Sequence, residues 1–220
     1  MRAMQASIFN SRLFCILCLC FCGFVANAQE NEEGTKENIR RFVTYQIALV
    51  KPLAFGDNFA KDGLDQVVGY DLSLRFYVFE SIYAGVEGGS FTAEVDKEEL
   101  VGDYDQSNAN TYGISAGYTF ELNESNLIDT GLSYGHINYR NRKEGLDDRF
   151  VDSGSYLKIN AQYNYRFSKN VSLFAFTNIR FDYLDIETSP LIDNFINRAN
   201  YMIFGIGFKA SIFTDISELW

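Results

Sequence analysis

Residues 154–167 alternate strictly between apolar and polar side chains, and the same alternation recurs along the chain. The apolar positions of this segment are Leu157, Ile159, Ala161, Tyr163, Tyr165 and Phe167. A period of two indicates a β-strand with one apolar face and one polar face. Eight such segments follow one another, so the chain is predicted to be all-β, as an eight-stranded antiparallel up-and-down transmembrane barrel with a polar lumen.

In each of the eight predicted strands, one set of alternate residues is apolar. Away from the strand ends, that set contains no charged residue. They span 41–51, 67–78, 82–93, 109–120, 127–140, 154–167, 171–184 and 198–213. In the first strand the apolar parity is Val43, Tyr45, Ile47 and Leu49. A cation at mid-bilayer on the lipid face costs ~2–4 kcal/mol. Because 22% of the chain is charged, the lack of charged residues at these alternate positions predicts that this face contacts lipid.

The connections alternate between short and long. Short ones are predicted at 79–81, 121–126 and 168–170, and long ones at 52–66, 94–108, 141–153 and 185–197. Outer-membrane barrels have short periplasmic turns and longer external loops, so both ends of the barrel are predicted to be periplasmic. Aromatic residues near strand ends share the lipid-facing parity, as in interfacial girdles. They are Tyr45, Tyr70, Tyr112, Tyr134, Phe167 and Tyr183.

The first 28 residues have the pattern of a secretory signal peptide. Arg2 and Arg12 precede an apolar run over 13–25, and Ala26-Asn27-Ala28 forms a cleavage motif. The predicted domains are therefore a signal peptide at 1–28, a flexible periplasmic leader at 29–40, the barrel at 41–213 and a tail at 214–220. All four cysteines lie in the signal, so the mature chain is expected to lack thiols. Acylation of one cysteine is the alternative, although bulky residues precede Cys20 and Cys22.

The chain is acidic, with a net charge of −10. Removal of the signal, which holds two arginines and no acid, would make the charge −12. An acidic chain does not favour a phosphate backbone as a partner, so no nucleic-acid partner is expected.

The inward parity combines glycines with long charged side chains. The predicted polar network of the lumen is Asp71, Arg75, Glu87, Lys158, Arg166, Arg180, Asp182 and Lys209. Asp129 is a further carboxylate that could offset the cations. Since unpaired buried charges are costly, these groups are predicted to pair and to fill the lumen as a polar plug. A water-conducting pore is the alternative.

No catalytic, cofactor-binding or metal-ligating residue is predicted. The chain has a single histidine, His136, which continues the outward parity. Lipid A deacylase barrels use a histidine with a serine two residues on, but Asn138 stands at that position here. The acidic segment 94–108 is predicted to be a solvated external loop, with Ca²⁺ binding through its carboxylates as the alternative.

The last strand, Gly207-Phe208-Lys209-Ala210-Ser211-Ile212-Phe213, resembles the insertion signal of small Gram-negative outer-membrane barrels of the OmpA transmembrane-domain and OmpX kind. The chain departs from that pattern by continuing to Trp220, so either Phe213 or Trp220 could be the terminal aromatic. The resemblance implies an outer-membrane location, contact with outer-membrane lipid and lipopolysaccharide, assembly by the barrel-insertion machinery, and a monomeric state.

The same resemblance implies a non-enzymatic protein whose external loops serve envelope integrity, adhesion or interaction. Three alternatives remain open from the sequence. They are a narrow porin-like channel or conduit for small molecules, a lipid-modifying outer-membrane enzyme, and a soluble ligand carrier of lipocalin type, in which the apolar face would point inward.

Overall fold

The computed structural model describes residues 39–79, 81–143 and 149–215, and these form a closed eight-stranded barrel. The strands are β1 (Ile39–Ala54), β2 (Leu64–Tyr77), β3 (Ile82–Val95), β4 (Gln106–Glu121), β5 (Asn126–Arg142), β6 (Arg149–Arg166), β7 (Val171–Leu184) and β8 (Arg198–Asp215). Each strand pairs antiparallel with its sequence neighbours, and β1 pairs with β8 to close the sheet. The predicted antiparallel up-and-down barrel is confirmed.

The predicted domain boundaries differ from the strand ends by two residues on each side. β1 begins at Ile39, inside the predicted leader, and β8 continues to Asp215, inside the predicted tail. The predicted signal peptide, the leader up to residue 38 and the tail from residue 216 lie outside the described residues.

Three short helices lie in the external connections. They are α1 (Phe59–Gly63), α2 (Glu98–Val101) and α3 (Asp193–Ile196). Among the described residues, no helix is both long and apolar enough to cross a membrane.

The outer face of the barrel carries the predicted apolar parity. Leu49, Ile114 and Leu132 are each more than half exposed on this face. All six predicted girdle aromatics, Tyr45, Tyr70, Tyr112, Tyr134, Phe167 and Tyr183, are also exposed. In water this continuous apolar surface would be strongly unfavourable, whereas in a bilayer it meets acyl chains. The prediction that this parity faces lipid is confirmed.

A β-bulge interrupts β1 close to its periplasmic end. The register between β1 and β8 shifts between Arg41 and Val43, which marks a β-bulge. Phe42 is 46% exposed, whereas Val43 is only 6% exposed. An extra residue in one strand exchanges the faces of the residues on one side of it. Val43 nevertheless keeps the outward face of Tyr45, because it pairs with the outward residues Phe76 and Ile212. The bulge instead turns Arg41 inward, where it is 8% exposed, and alternation alone does not reveal this change.

Strands β4, β5 and β6 are longer than a membrane crossing requires. They contain 16, 17 and 18 residues, whereas a tilted transmembrane strand needs ~9–11. They therefore extend above the membrane, and they take up parts of the predicted loops 94–108 and 141–153. On this upper part the pattern reverses: Ile137 and Tyr139 are buried in the lumen, and Arg140 is exposed outside. Outside the bilayer only the interior can shield apolar side chains from water.

The external end of the lumen consequently holds an apolar core. Its buried members include Phe59, Phe91, Ile137, Tyr139, Leu184, Ala199, Tyr201 and Ile203. The lumen is thus mainly polar in its central and periplasmic parts, where Phe174 and Phe176 are also buried, and it is apolar at its external end. The sequence analysis predicted a polar lumen without this apolar segment.

Two inward tyrosines lie flat over glycines of β4 and β5. An added Cβ at Gly113 would lie 2.5 Å from the hydroxyl oxygen of Tyr156 and 2.5 Å from the carbonyl oxygen of Tyr134. At Gly131 an added Cβ would lie 2.6 Å from the hydroxyl oxygen of Tyr83. A side chain at either position would overlap the tyrosine, so only glycine fits there.

Replacing Gly113 by alanine should destabilise the barrel by about 1–3 kcal/mol, the usual cost of overpacking a core. The new methyl group would displace Tyr156, whose hydroxyl donates a 2.9 Å hydrogen bond to Glu87. Urea unfolding of the barrel in detergent micelles measures this loss. Gly88→Ala is the matched control, since its added Cβ meets only the Thr111 carbonyl oxygen, at 3.2 Å. Equal effects of the two substitutions would contradict this packing argument.

Candidate functional site

The periplasmic part of the lumen is organised around Asp129, which is fully buried. Its Oδ2 lies 3.0 Å from Arg75 Nη1 and 2.8 Å from Lys209 Nζ. Its Oδ1 accepts a 2.8 Å hydrogen bond from the Thr119 hydroxyl. Three strands therefore supply two cations and a hydroxyl to one carboxylate on β5, and this group of side chains carries a net positive charge.

The central part of the lumen has the opposite balance. Lys158 Nζ lies 2.6 Å from Glu87 Oε1 and 3.4 Å from Asp71 Oδ2. Glu87 also accepts hydrogen bonds of 2.9 Å from Ser133 and Tyr156. One cation here faces two carboxylates, so the excess charges of the central and periplasmic groups offset each other.

The network ends externally at an ion pair within the aromatic residues. Arg180 Nε lies 2.9 Å from Asp182 Oδ1, and Tyr139 donates a 2.7 Å hydrogen bond to Asp182 Oδ2. The Arg180 guanidinium lies 4.9 Å from the ring centroid of Tyr201 and 5.1 Å from that of Phe91. Cation–π contacts and a paired carboxylate stabilise this buried charge.

Seven of the eight predicted network residues are thus brought together inside the barrel, and Arg166 is not. Arg166 lies at the periplasmic mouth, where its Nη2 is 3.6 Å from Glu121 Oε1. Arg41 Nη2 contacts the same oxygen at 3.3 Å. The Glu121 side chain is 59% exposed, whereas those of Arg41 and Arg166 are 6% and 21% exposed. The cluster therefore lies at the barrel rim, and only its carboxylate is largely solvated. Arg166 keeps the predicted inward face but lies at the mouth of the barrel, because alternation gives a residue's face and not its depth.

The sequence analysis missed the buried tyrosines Tyr83, Tyr139, Tyr156 and Tyr201, which shape the network. Each is at most 2% exposed. All four lie at inward-facing positions of their strands, so the alternation of the sequence places them in the lumen.

A cavity of about 20 Å³ remains at the centre of the lumen. Among its lining residues, Gln46, Ser115 and Asn160 each have a buried polar atom without a protein partner. A cavity of this size holds about one water molecule, which needs polar partners of this kind. This cavity therefore has room for about one water molecule and not for a larger solute.

Loop 55–63 lies over the external end of the lumen as a lid. Phe59 of α1 packs edge-on against Tyr139, with ring centroids 5.7 Å apart, and Ala60 is completely buried. Asn58 caps α1 by accepting a 3.1 Å hydrogen bond from the Lys61 amide. The lid therefore contributes directly to the apolar core.

Gln66 fastens the lid to the barrel wall. Its Nε2 donates to the carbonyl oxygens of Ala60 at 2.6 Å and Leu64 at 2.8 Å. Its Oε1 accepts from the Ala54 amide at 3.1 Å. One buried amide thus joins α1, β1 and β2.

Replacing Gln66 by alanine should release the lid while the barrel stays folded. Three hydrogen bonds would be lost, and buried backbone groups would be left unpaired, at a local cost of about 1–3 kcal/mol. Hydrogen–deuterium exchange should accelerate selectively at residues 58–63. Gln46→Ala, deeper in the lumen, is the control and should leave exchange in this loop unchanged. Uniform acceleration in both variants would show that Gln66 has no specific role in the lid.

Local contacts also hold the described parts of the other external loops. Asn197 bonds to the Ile186 amide and carbonyl and to the Asp193 carboxylate. In the segment predicted as a solvated loop, Tyr104 is buried and packs edge-on against Phe150. Lys143 forms an ion pair with Asp103. Within the described ranges, no three or more carboxylate, histidine or cysteine side chains are grouped so as to hold a metal ion.

His136 lies on the outer face, as predicted. Its ring is 5.2 Å from that of Tyr112, and its Nε2 is 3.1 Å from Asn138 Oδ1. These contacts place it in the external aromatic girdle.

No protein-family model matches this chain, and no curated protein is similar to it in sequence. Solved structures do share its fold. Neisserial surface protein A aligns with 80% of this chain and 100% of its own, at 13% identity and a TM-score of 0.55. The N-terminal barrel domain of Pseudomonas aeruginosa OprF covers 80% and 100%, at 14% identity and a TM-score of 0.49. At these identities the similarity concerns architecture alone, and the chain has the fold of the small outer-membrane β-barrels.

Proposed function

We propose that this chain is a non-enzymatic integral outer-membrane protein of a Gram-negative bacterium, whose external loops serve envelope integrity, adhesion or interaction. The observation that carries this proposal is a closed lumen beneath ordered external loops. A barrel filled by paired charges works as an anchor, and loops on a rigid scaffold are where binding functions reside.

The interior supports an anchor better than a channel. A cavity of about 20 Å³ offers no route for a solute, and the aromatic residues around Arg180 close its external side. The lipocalin-type alternative fails for another reason, since a soluble carrier would not expose Leu49, Ile114 and Leu132 on its outer face.

Three features support the proposed environment and assembly. The apolar outer band would contact outer-membrane lipid, and lipopolysaccharide would surround its external end. Gly207 to Phe213 lie within β8, the closing strand, where a signal for the barrel-insertion machinery would act. Closure of the sheet within a single chain is compatible with a monomer.

Planar-bilayer recording tests the closed lumen. The purified barrel should give no steady openings, because the ion network and the lid block the path. Steady openings of a defined size in the wild-type protein would instead favour the porin-like channel.

A complementation experiment tests the role of the loops. A strain lacking the protein would receive either the wild type or a variant with 97–104 and 186–196 replaced by short turns. Detergent sensitivity and surface adherence would be measured. We expect both proteins to show heat-modifiable migration as folded barrels, and only the wild type to restore the surface phenotype. Equal restoration by the two proteins would contradict a function in these loops.

A further inference from the structure

The periplasmic mouth of the barrel holds two inward arginines and one carboxylate. We call this group the mouth cluster, and its members are Arg41 on β1, Glu121 at the end of β4 and Arg166 at the end of β6. Arg41 Nη2 and Arg166 Nη2 lie 3.3 Å and 3.6 Å from the same oxygen, Glu121 Oε1. One carboxylate therefore faces two guanidinium groups, and the cluster has an excess of one positive charge.

The surrounding side chains do not offset this charge. Deeper in the lumen, the excess charges of the groups around Asp129 and Glu87 offset each other. On the turns next to the mouth, the exposed side chains of Lys169 and Glu124 carry opposite charges. Among the charged side chains that the structure describes near the mouth, none is left to balance the cluster.

The guanidinium of Arg41 is buried and only partly satisfied. The side chain is 6% exposed. Its Nη1 donates a 3.3 Å hydrogen bond to the Tyr77 hydroxyl, and its guanidinium carbon lies 5.0 Å from the centroid of the Tyr77 ring. Its Nε is also buried but has no hydrogen-bond partner among the described residues. Since a buried donor without a partner is costly, this nitrogen indicates that a further acceptor binds at the mouth.

Arg166 is the more accessible arginine of the mouth cluster, with a side chain that is 21% exposed. Its distance of 3.6 Å to Glu121 exceeds the ~2.7–2.9 Å of a charge-assisted hydrogen bond. A guanidinium binds a carboxylate through two parallel N–H groups. The donors of Arg166 can therefore take a second carboxylate that enters from the open side of the mouth.

We propose that the mouth cluster binds a second carboxylate, supplied by an acidic polypeptide segment. Arg166 binds this carboxylate through its guanidinium fork, and Arg41 adds positive charge from the buried side. Two cations and two carboxylates then balance each other at the mouth. This site lies at the end of the barrel opposite the external loops, so the inference goes beyond the proposed function.

The chain itself contains such a segment immediately before β1. Residues 29–38 include four glutamates, at 30, 32, 33 and 37, and a single lysine, at 36. An extended chain covers ~3.3–3.6 Å per residue, so Glu33 can reach ~20 Å from Ile39. Eight strands that are ~4.8 Å apart and tilted by ~40° enclose a barrel ~16 Å across. A glutamate of this segment can thus reach any point of the mouth, and an acidic segment of another molecule is the second source.

Glutamate-specific proteolysis tests whether the chain's own segment occupies the site. The predicted mature chain, folded in detergent micelles, would be digested, and cleavage after Glu32 and Glu33 would be followed by mass spectrometry. A synthetic peptide of residues 29–38 gives the rate for the unbound segment. We expect the folded chain to be cleaved at least tenfold more slowly, because proteolysis follows the unbound population. Arg166→Gln should accelerate cleavage about tenfold, since charge-assisted hydrogen bonds are lost.

Lys169→Gln is the matched control, because Lys169 is an exposed cation on the adjacent turn between β6 and β7. It should change the cleavage rate less than about twofold, since exposed ion pairs contribute little. Heat-modifiable migration verifies that each variant is folded. Equal acceleration by the two substitutions would show general attraction to a positive rim and would overturn the proposal.

A binding titration separates the two sources of the carboxylate. A variant with Glu30→Gln, Glu32→Gln, Glu33→Gln and Glu37→Gln removes the carboxylates of the chain's own segment, and the labelled 29–38 peptide would be titrated onto it by fluorescence anisotropy. We expect saturable binding that Arg166→Gln weakens about tenfold and that a peptide with glutamine in place of glutamate does not show. Fast cleavage of the wild-type segment together with saturable binding would assign the site to a segment of another molecule. Fast cleavage without saturable binding would overturn the proposal.

Discussion

Replacing Asp129 by asparagine is expected to lower the free energy of unfolding by about 3–5 kcal/mol, the cost of breaking a buried ion pair by removing one partner. Arg75 and Lys209 would both lose their carboxylate, at sites that are 6% and 2% exposed. Asparagine has nearly the shape of aspartate, so the loss would reflect charge and not packing. Urea unfolding in phospholipid vesicles, followed by circular dichroism or heat-modifiable migration, measures it.

The control for Asp129→Asn is Glu121→Gln at the periplasmic mouth. Glu121 also contacts two arginines, but its side chain is largely solvated, and exposed ion pairs contribute at most about 1 kcal/mol. A stability of Asp129→Asn within about 1 kcal/mol of the wild type would show that the two cations find other partners. The lumen would then be more adaptable than its geometry indicates.

Replacing Leu132 by arginine should destabilise the barrel by about 2–4 kcal/mol, the cost of a cation on the lipid face at mid-bilayer. Leu132 is 57% exposed and lies midway along the lipid-facing part of β5, beside Ala116 and Ile159. The lumen is untouched by this change, so the cost arises from the bilayer. Unfolding in vesicles again provides the measurement.

Asn138→Arg, three outward positions further along β5, is the control for Leu132→Arg. It lies beyond the girdle, where the cost of a cation falls to about 0–1 kcal/mol. Similar destabilisation at the two positions would show that the membrane boundary does not lie near His136.

The barrel has two parts, which differ in the polarity of the outer face and of the lumen. Below His136 the outer face is apolar and the lumen is charged, and above it the outer face is polar and the lumen is apolar. The lid residue Phe59 completes the apolar part. The external loops therefore pack on the apolar core at the external end of the lumen. This packing stabilises short helices such as α1 outside the membrane.

Alternation along the chain was sufficient to predict eight strands, their lipid-facing side and the charged residues of the lumen. This information is local, since a period of two requires only neighbouring residues and a single environment on each face. It does not reveal the bulge that turns Arg41 inward, and it does not show that Arg166, on the predicted inward face, lies at the mouth of the barrel. It also ends at His136, where the environment outside the barrel changes from lipid to water.

Only the tertiary structure decided which charges pair. Asp129 binds Arg75 and Lys209, which are 54 and 80 residues away in sequence, and closure of the sheet brings them together. Nothing in the alternation distinguishes these partners from other inward cations, because the pairing depends on strand register and on the depth of each residue in the barrel. The lid held by Gln66 depends in the same way on contacts that exist only once the strands have closed.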